Sequence, residues 1–196
     1  MKLWKKFSAL FLALVMVLAL AIPAVATETE QDLTGHIVIL HTNDVHGAIG
    51  EYAKVADLKQ AYQAAGAYVL LADAGDFIQG DPTVSASQGK TAIELMNLAG
   101  YDVAAPGNHE FDYGFPQLKA NLSYSAADFL VTCVNLVDDK GDPIFAPGAT
   151  APVTDADDNP LFNLTVMGVA TPETQTKANP ALMKGLTFLS GQKLYA

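Results

Sequence analysis

Three short segments of the sequence combine acidic, imidazole or amide side chains with glycine. They are Asn43-Asp44-Val45-His46-Gly47, Gly75-Asp76-Phe77-Ile78-Gln79-Gly80 and Gly107-Asn108-His109-Glu110-Phe111-Asp112. A carboxylate and an imidazole two residues apart, as in Asp44 and His46, can both face one metal ion when the chain is extended. Glycines beside Asp76 allow the backbone to approach a ligand closely. Each segment alone is also typical of a turn, since Asp and Asn favour turns. The three together predict a functional site if the fold brings them to one place.

Each of the three segments directly follows a predicted apolar strand. The predicted strands cover residues 36–41, 68–71, 102–105 and 129–134, and predicted helices cover residues 52–65 and 91–99 and begin at residue 115. Strands that alternate with helices indicate an α/β fold with a mainly parallel sheet. The carboxyl ends of parallel strands share one edge of the sheet, where functional loops gather. We therefore expect the three segments to converge at that edge.

Beyond residue 135 the alternation stops. Residues 138–141 and 155–160 are predicted to be polar turns, and the proline- and glycine-rich sequence between them is predicted to form a hairpin. A further strand is predicted at residues 164–169. From residue 184 onward the sequence indicates only a turn and a short stretch.

Residues 1–26 have the pattern of a secretory signal peptide. Lysines precede an apolar run, and the segment ends on Ala24-Val25-Ala26, a small-x-small cleavage pattern. The alternative is an uncleaved membrane anchor, but the apolar run is short for a membrane span. The pattern predicts a secreted, periplasmic or cell-surface protein with no membrane segment after cleavage. Residues 27–34 are then a linker, and residues 35–196 belong to the folded domain.

The charge of the chain excludes one class of partner. The formal net charge is −10, and all 11 basic residues are lysines. Such a chain is a poor candidate for binding the backbone of a nucleic acid, which needs clustered cations. A phosphate-bearing small molecule remains possible if metal ions supply the positive charge. The single cysteine, Cys133, cannot form an internal disulfide and lies in a predicted strand, so it is expected to be buried.

The ordered motifs resemble those of the calcineurin-like metallophosphoesterases. The series is Asp44-x-His46, Gly75-Asp76 and Gly107-Asn108-His109-Glu110. The wider strings at residues 40–44 and 107–112, together with residues 168–174, are similar to the 5'-nucleotidase branch. The resemblance implies an α/β/β/α sandwich with a mainly parallel sheet. It also implies hydrolysis of a nucleotide or another phosphate ester by water activated between two divalent metal ions.

The resemblance further implies a role for each site residue. Asp44 and His46 would bind one ion, Asp76 would bridge both ions, and Asn108 would bind the second through its amide oxygen. A mixture of carboxylate, imidazole and amide oxygen suits Zn, Mn or Fe, and the sequence does not choose among them.

Two further residues are implied to be catalytic without binding metal. His109 would stabilise the transition state or protonate the leaving oxygen, and Asp112 would orient its ring. Glu110 is expected to have a structural role at the turn.

Four other polar residues near the motifs are assigned no chemistry. His41 is expected to be packed or to support the site indirectly, and His36 to be an ordinary edge residue. Asp81 is a candidate helix cap, and Gln79 flanks the second segment.

The sequence departs from the family after Asp112. The family has further histidine ligands there, whereas this chain has four histidines in all and none beyond that point. We therefore expect the chain to be the truncated N-terminal part of a catalytic domain, without the C-terminal substrate-binding domain, and to be inactive alone.

Three alternatives to a 5'-nucleotidase remain open at this point. Two belong to the same branch, namely a 2',3'-cyclic-nucleotide phosphodiesterase and a UDP-sugar hydrolase. The third is a non-catalytic surface or binding remnant, which the His109 and Asp112 pair argues against and the missing histidines favour.

Overall fold

The alternating strands and helices form a parallel sheet. The computed structural model describes residues 31–124, 127–154 and 159–191. Its four parallel strands are β1 (Ile37–Thr42), β2 (Tyr68–Asp73), β3 (Val103–Ala104) and β4 (Leu130–Val131), in that spatial order. All four carboxyl ends therefore lie at one edge. The predicted α/β fold with a parallel sheet is confirmed.

The helices lie between these strands, as the sequence pattern predicts. They are α1 (Ile49–Ala64), α2 (Pro82–Ala86), α3 (Lys90–Ala99) and α4 (Phe115–Tyr124). Only the short α2 was not expected. It begins at Asp81, whose carboxylate accepts a hydrogen bond from the Thr83 backbone N–H, and this confirms the predicted cap.

The main core packs the sheet against the helices. Leu71 of β2, Phe77 from the loop after it, and Ile93 and Met96 of α3 are completely buried. A smaller cluster is formed by Leu33, Ala67 and Val69. This cluster belongs to the compact unit that begins at Leu33. The other unit, residues 1–32, contains the predicted signal peptide, which lies outside the described residues.

The strand predicted at residues 36–41 forms, but it is less buried than expected. Alternate residues of β1 are exposed, with Ile37 at 38% and Ile39 at 57% of their accessible surface, while Val38 and Leu40 pack inward. Among the described residues, β1 pairs with β2 alone, and side chains pack against only one of its two faces. A run of apolar residues is typical of a strand buried on both faces, so the sequence did not predict that one face of β1 is exposed.

The strands after β4 pair in antiparallel fashion. Strand β5 (Leu136–Asp138) pairs with β8 (Leu186–Phe188), and β6 (Ala149–Thr154) pairs with β7 (Pro160–Val166). The region predicted to form a hairpin contains one strand of the pair, β6. The strand predicted at residues 164–169 overlaps the end of β7, the partner of β6. Strand β8 was missed, since its residues indicate only a short stretch. This region also contains the short helix α5 (Thr174–Lys177) and a 3-10 turn at Pro180–Leu182.

A buried asparagine joins this second region together. Asn135 donates to the carbonyl oxygens of Ala170 and Leu189, and its own amide oxygen accepts from the Ala170 N–H. Cys133 is free and completely buried beside it, as expected. In the part of the chain that the structure describes, no helix is long and apolar enough to cross a membrane.

Candidate metal centre at the carboxyl ends of the strands

The first segment, which directly follows β1, has an unusual backbone conformation. Asp44 and His46 have φ angles of 52° and 48°, in the left-handed region that residues with a Cβ rarely adopt. Hydrogen bonds from the second segment hold them there. The Asp44 N–H donates to the Gly75 carbonyl at 3.1 Å, and the His46 N–H donates to the Asp76 carbonyl at 2.9 Å. Strained positions of this kind cluster at functional sites.

The second and third segments touch through glycines. A Cβ on Gly75, whose φ is 107°, would overlap the backbone of Gly107, and a Cβ on Gly107 would overlap the Asp76 carboxylate. The same carboxylate accepts a hydrogen bond from the His109 N–H at 2.7 Å. Only glycine permits this approach, which brings Asp76 next to the third segment.

Glu110 binds both segments with one side chain. Its completely buried carboxylate accepts hydrogen bonds from Gly107 N–H at 2.6 Å, Asp76 N–H at 2.7 Å, Phe77 N–H at 2.8 Å and Ile78 N–H at 3.3 Å. Burial raises the pKa of Glu110 to about 7, although the backbone hydrogen bonds oppose the rise and the nearby Asp76 charge adds to it. These contacts agree with the structural role expected for Glu110.

His109 forms a dyad with Asp112. The ring nitrogen Nδ1 lies 2.7 Å from Asp112 Oδ2. Burial lowers the pKa of His109, but the hydrogen bond and charge of Asp112, with the charges of Asp76 and Glu110, outweigh it and leave the pKa above its ordinary value. Because Nδ1 is engaged, Nε2 is the nitrogen left to meet a ligand.

The three segments meet at one point. His46, Asp76 and His109 each place a possible metal-ligating atom within 4.8 Å of the others, and the two imidazole rings are 5.0 Å apart at 69°. His46 Nε2 lies 3.5 Å from Asp44 Oδ1. Asn108 is half-buried at the start of the 3-10 turn His109–Phe111, beside this group. The expected convergence is therefore seen, while the role of each residue stays a prediction.

The electrostatics of the site fit a divalent cation. Burial raises the pKa of Asp73 to about 6, although hydrogen bonds from Thr42 and Gly75 lower it. The negative charges of Asp76 and Asp44 raise it further. Carboxylates that disfavour one another's ionisation are relieved by a bound cation. The carboxylate and imidazole donors are also those that transition metals accept. On both grounds the residues present suit the ion that the motifs imply.

Two residues near the site were missed by the sequence reasoning. Asp73 is buried, accepts from Thr42 Oγ1 at 2.5 Å and from Gly75 N–H at 2.7 Å, and so ties β1 to the second segment. An acid ending an apolar strand was the available signal. Gln79 was assigned no chemistry, yet its Oε1 lies 3.3 Å from His46 Nδ1. No local pattern in the sequence could have shown that contact.

The two remaining histidines lie apart from this group. His36 is an exposed residue just before β1, as expected. His41 is exposed rather than packed, since it shares the open face of β1 with Ile39. The expectation that it is packed is wrong.

Comparison with known proteins places these motifs in a family. Residues 37–182 match the family model for calcineurin-like phosphoesterases. Protein UshA of Yersinia enterocolitica is 34% identical over 188 residues, which cover 90% of this chain and 32% of that protein. The 5'-nucleotidase of Vibrio parahaemolyticus is 32% identical over 180 residues, covering 83% of this chain and 30% of the relative. The chain thus spans about a third of the length of these curated relatives.

Solved structures show the same fold. The calcineurin-like phosphoesterase YfkN from Bacillus subtilis superposes with a TM-score of 0.68 over 81% of this chain and 55% of that one, at 24% identity. The 5'-nucleotidase precursor from Thermus thermophilus has a TM-score of 0.64 at 26% identity, over 80% of this chain and 32% of its own. The family match and the relatives confirm the resemblance seen in the motifs: this chain belongs to the calcineurin-like phosphoesterases, a family of hydrolases, in the 5'-nucleotidase branch.

Proposed function

We propose that this chain supplies the first metal-binding loops of a secreted phosphohydrolase of the 5'-nucleotidase type that acts on nucleotides. The observation that carries the proposal is the cluster of His46, Asp76 and His109, whose possible ligating atoms lie within 4.8 Å of one another. Relatives named 5'-nucleotidase support the substrate class. Two divalent ions, of Zn, Mn or Fe, would activate a water molecule and offset the charge on the phosphoryl oxygens.

The chain's own residues divide the work of holding these ions. Asp44 and His46 are assigned to one ion and Asn108 to the other, with Asp76 bridging both. The position of Asp76 supports the bridging role, because backbone hydrogen bonds tie its carbonyl to His46 and its carboxylate to His109. It therefore lies between the first and third segments.

His109 is assigned the proton transfer. Its Nδ1 is held by Asp112 at 2.7 Å, which leaves Nε2 to carry a proton toward the leaving oxygen of the ester. A neighbouring carboxylate raises the basicity of an imidazole and fixes its tautomer. A purely binding protein has no need of this pair, so the dyad favours an enzyme over a binding remnant.

Secretion and the exact substrate belong to the proposal as well. The signal-peptide pattern at residues 1–26 supports export to the periplasm or cell surface. A relative 28% identical, from Bacillus subtilis, is named a trifunctional nucleotide phosphoesterase, which favours more than one kind of nucleotide ester as substrate. The 2',3'-cyclic nucleotides are the second candidate, from the resemblance of the motifs to the 5'-nucleotidase branch. UDP-sugars remain a third candidate of the same branch.

Metal binding by this chain is the first test. Four ligands must serve two cations, so we expect weak binding of Mn²⁺ or Zn²⁺ in calorimetry and no measurable phosphate release from 5'-AMP. Asp76→Asn should abolish most of the binding, whereas Asp57→Asn, which changes an exposed acid on α1, should not. Equal binding by Asp76→Asn and the unchanged chain would contradict the assignment.

Catalysis is tested in a chimera. Residues 33–191 would be continued by the corresponding C-terminal part of UshA from Escherichia coli, a relative 32% identical over 171 residues. We expect phosphate release from 5'-AMP that stops on chelation and returns with added metal. In the same chimera, His109→Ala should keep the metal but lose activity on the order of a hundredfold or more, as for a lost acid–base group. Turnover that survives chelation would refute the metal-dependent mechanism.

A further inference from the structure

The side chain of Gln79 faces the imidazole of His46. Gln79 Oε1 lies 3.3 Å from His46 Nδ1, and on the other side of the ring Nε2 lies 3.5 Å from Asp44 Oδ1. Both ring nitrogens of His46 therefore have a defined neighbour. Neither the motifs nor the family assignment gives Gln79 a role.

The backbone makes this contact a consequence of the fold. The His46 N–H donates to the Asp76 carbonyl at 2.9 Å, and the His46 carbonyl accepts from the Asp81 N–H at 3.0 Å. His46 is thus paired with both ends of the loop that carries Gln79. Gly80 completes the fit, because a Cβ there would overlap the His46 carbonyl. The residue before Gln79 is also fixed, since Ile78 is completely buried.

The chemistry of the two neighbours determines the tautomer. An amide oxygen can only accept a hydrogen bond, so Nδ1 must carry the ring proton. In the neutral ring, which is the form that binds a metal, Nε2 then presents a lone pair toward the Asp44 carboxylate. Two electron-rich atoms 3.5 Å apart repel each other unless a cation lies between or beside them. The arrangement therefore prepares His46 and Asp44 to share a cation.

We propose that Gln79 is a positioning residue that holds His46 in the Nδ1–H tautomer, with Nε2 directed to a divalent cation shared with Asp44. The inference deepens the proposed function, on which its biological meaning rests. A hydrogen-bond acceptor on the far nitrogen of a metal-binding histidine orients the ring and raises its affinity for the ion, and loss of such a partner commonly weakens binding by about 10- to 100-fold.

Zn²⁺ calorimetry with matched variants tests the effect on affinity. Gln79→Leu removes the acceptor with little change in size and should weaken Zn²⁺ binding about 10- to 100-fold. Gln79→Glu keeps an acceptor and should bind at least as tightly as the unchanged chain. Gln60→Leu, the same change at an exposed site on α1, should have no effect. Equal affinity of Gln79→Leu and the unchanged chain would overturn the inference.

A spectroscopic test does not depend on how the variants fold. With only four histidines, long-range ¹H–¹⁵N spectra can assign each imidazole tautomer in the Zn²⁺-loaded protein at about pH 8, above the ordinary pKa of histidine. We expect the Nδ1–H form at His46, and the Nε2–H form there would refute the proposal. These outcomes are separate from catalysis: a chimera that binds Zn²⁺ normally but fails to hydrolyse 5'-AMP would refute the proposed function and leave the role of Gln79 intact.

Discussion

Two junctions hold the candidate metal centre together, and they are built differently. The first junction, between residues 43–47 and 75–81, consists of backbone pairs that involve Asp44, His46, Asp76 and neighbouring residues. The second junction, between residues 75–80 and 107–112, depends on the Glu110 carboxylate and on two glycines in contact. Apart from a Cβ at Gly80, the backbone pairs of the first junction tolerate most changes of side chain. At the second junction, one substitution at Glu110 alters four hydrogen bonds.

The difference also separates stability from ligand binding. At the first junction the backbone does the joining, so the side chains of Asp44 and His46 stay available, with 57% and 38% of their surface exposed. At the second junction the joining group itself is buried and unavailable to a ligand. We infer that substitutions at the second junction act mainly on folding, and substitutions at the first mainly on metal binding.

The largest expected effect follows from Glu110→Gln. A glutamine offers one oxygen and one NH₂ group to four backbone donors, so two of those N–H groups would face another donor. Because a buried unsatisfied donor costs about 1–3 kcal/mol, we expect a loss on the order of 3 kcal/mol in the free energy of unfolding. Urea denaturation followed by circular dichroism measures it. Glu94→Gln, on the half-exposed surface of α3, is the control and should change little; a loss below about 1 kcal/mol at Glu110 would contradict the account.

Gly75→Ala should have the next largest effect. The new Cβ would overlap the backbone of Gly107. Residue 75 also has a φ of 107°, a conformation that alanine rarely adopts. Backbone strain of this kind costs about 1–3 kcal/mol, so we expect a loss of roughly 2 kcal/mol. Gly50→Ala is the matched control, since a Cβ there meets nothing within 4 Å and the residue lies in α1. That change should stabilise the protein by up to about 1 kcal/mol. Equal melting temperatures for the two variants would disprove the contact between the glycines.

The smallest expected effect is that of Asp73→Asn, which alters the side-chain support of the first junction. An asparagine can still accept from the Gly75 N–H, and the Thr42 hydroxyl can turn to accept while it donates to Tyr101, 2.9 Å away. Burial raises the pKa of the Asp73 carboxyl to about 6, because its charge is unfavourable in the interior. Removal of that charge therefore offsets part of the lost stability. We expect a destabilisation of about 1 kcal/mol or less by urea denaturation. A loss as large as that of Glu110→Gln would mean that the first junction depends on Asp73 rather than on its backbone.

Much of the fold and of the site could be predicted because the signals are local. Short apolar runs indicated β1, β2 and β3, and helical spacing indicated α1 and α3. Once these alternate, parallel pairing follows, and the segments after the strands must share an edge. The residues expected there, including Asp76 and His109, do meet. What failed depended on partners distant in sequence: the pairing of β5 with β8, and the exposure of one face of β1.

The sequence by itself determined which side chains reach the carboxyl edge of the sheet, because strand, helix and turn preferences act over a few residues. Only the tertiary structure decided how those side chains are held. The hydrogen bonds from the second segment to Glu110 and the contact of Gln79 with His46 join residues 32 to 34 positions apart. Such contacts form when packing excludes water and leaves each buried polar group to find a partner, and no spacing rule in the chain encodes that choice.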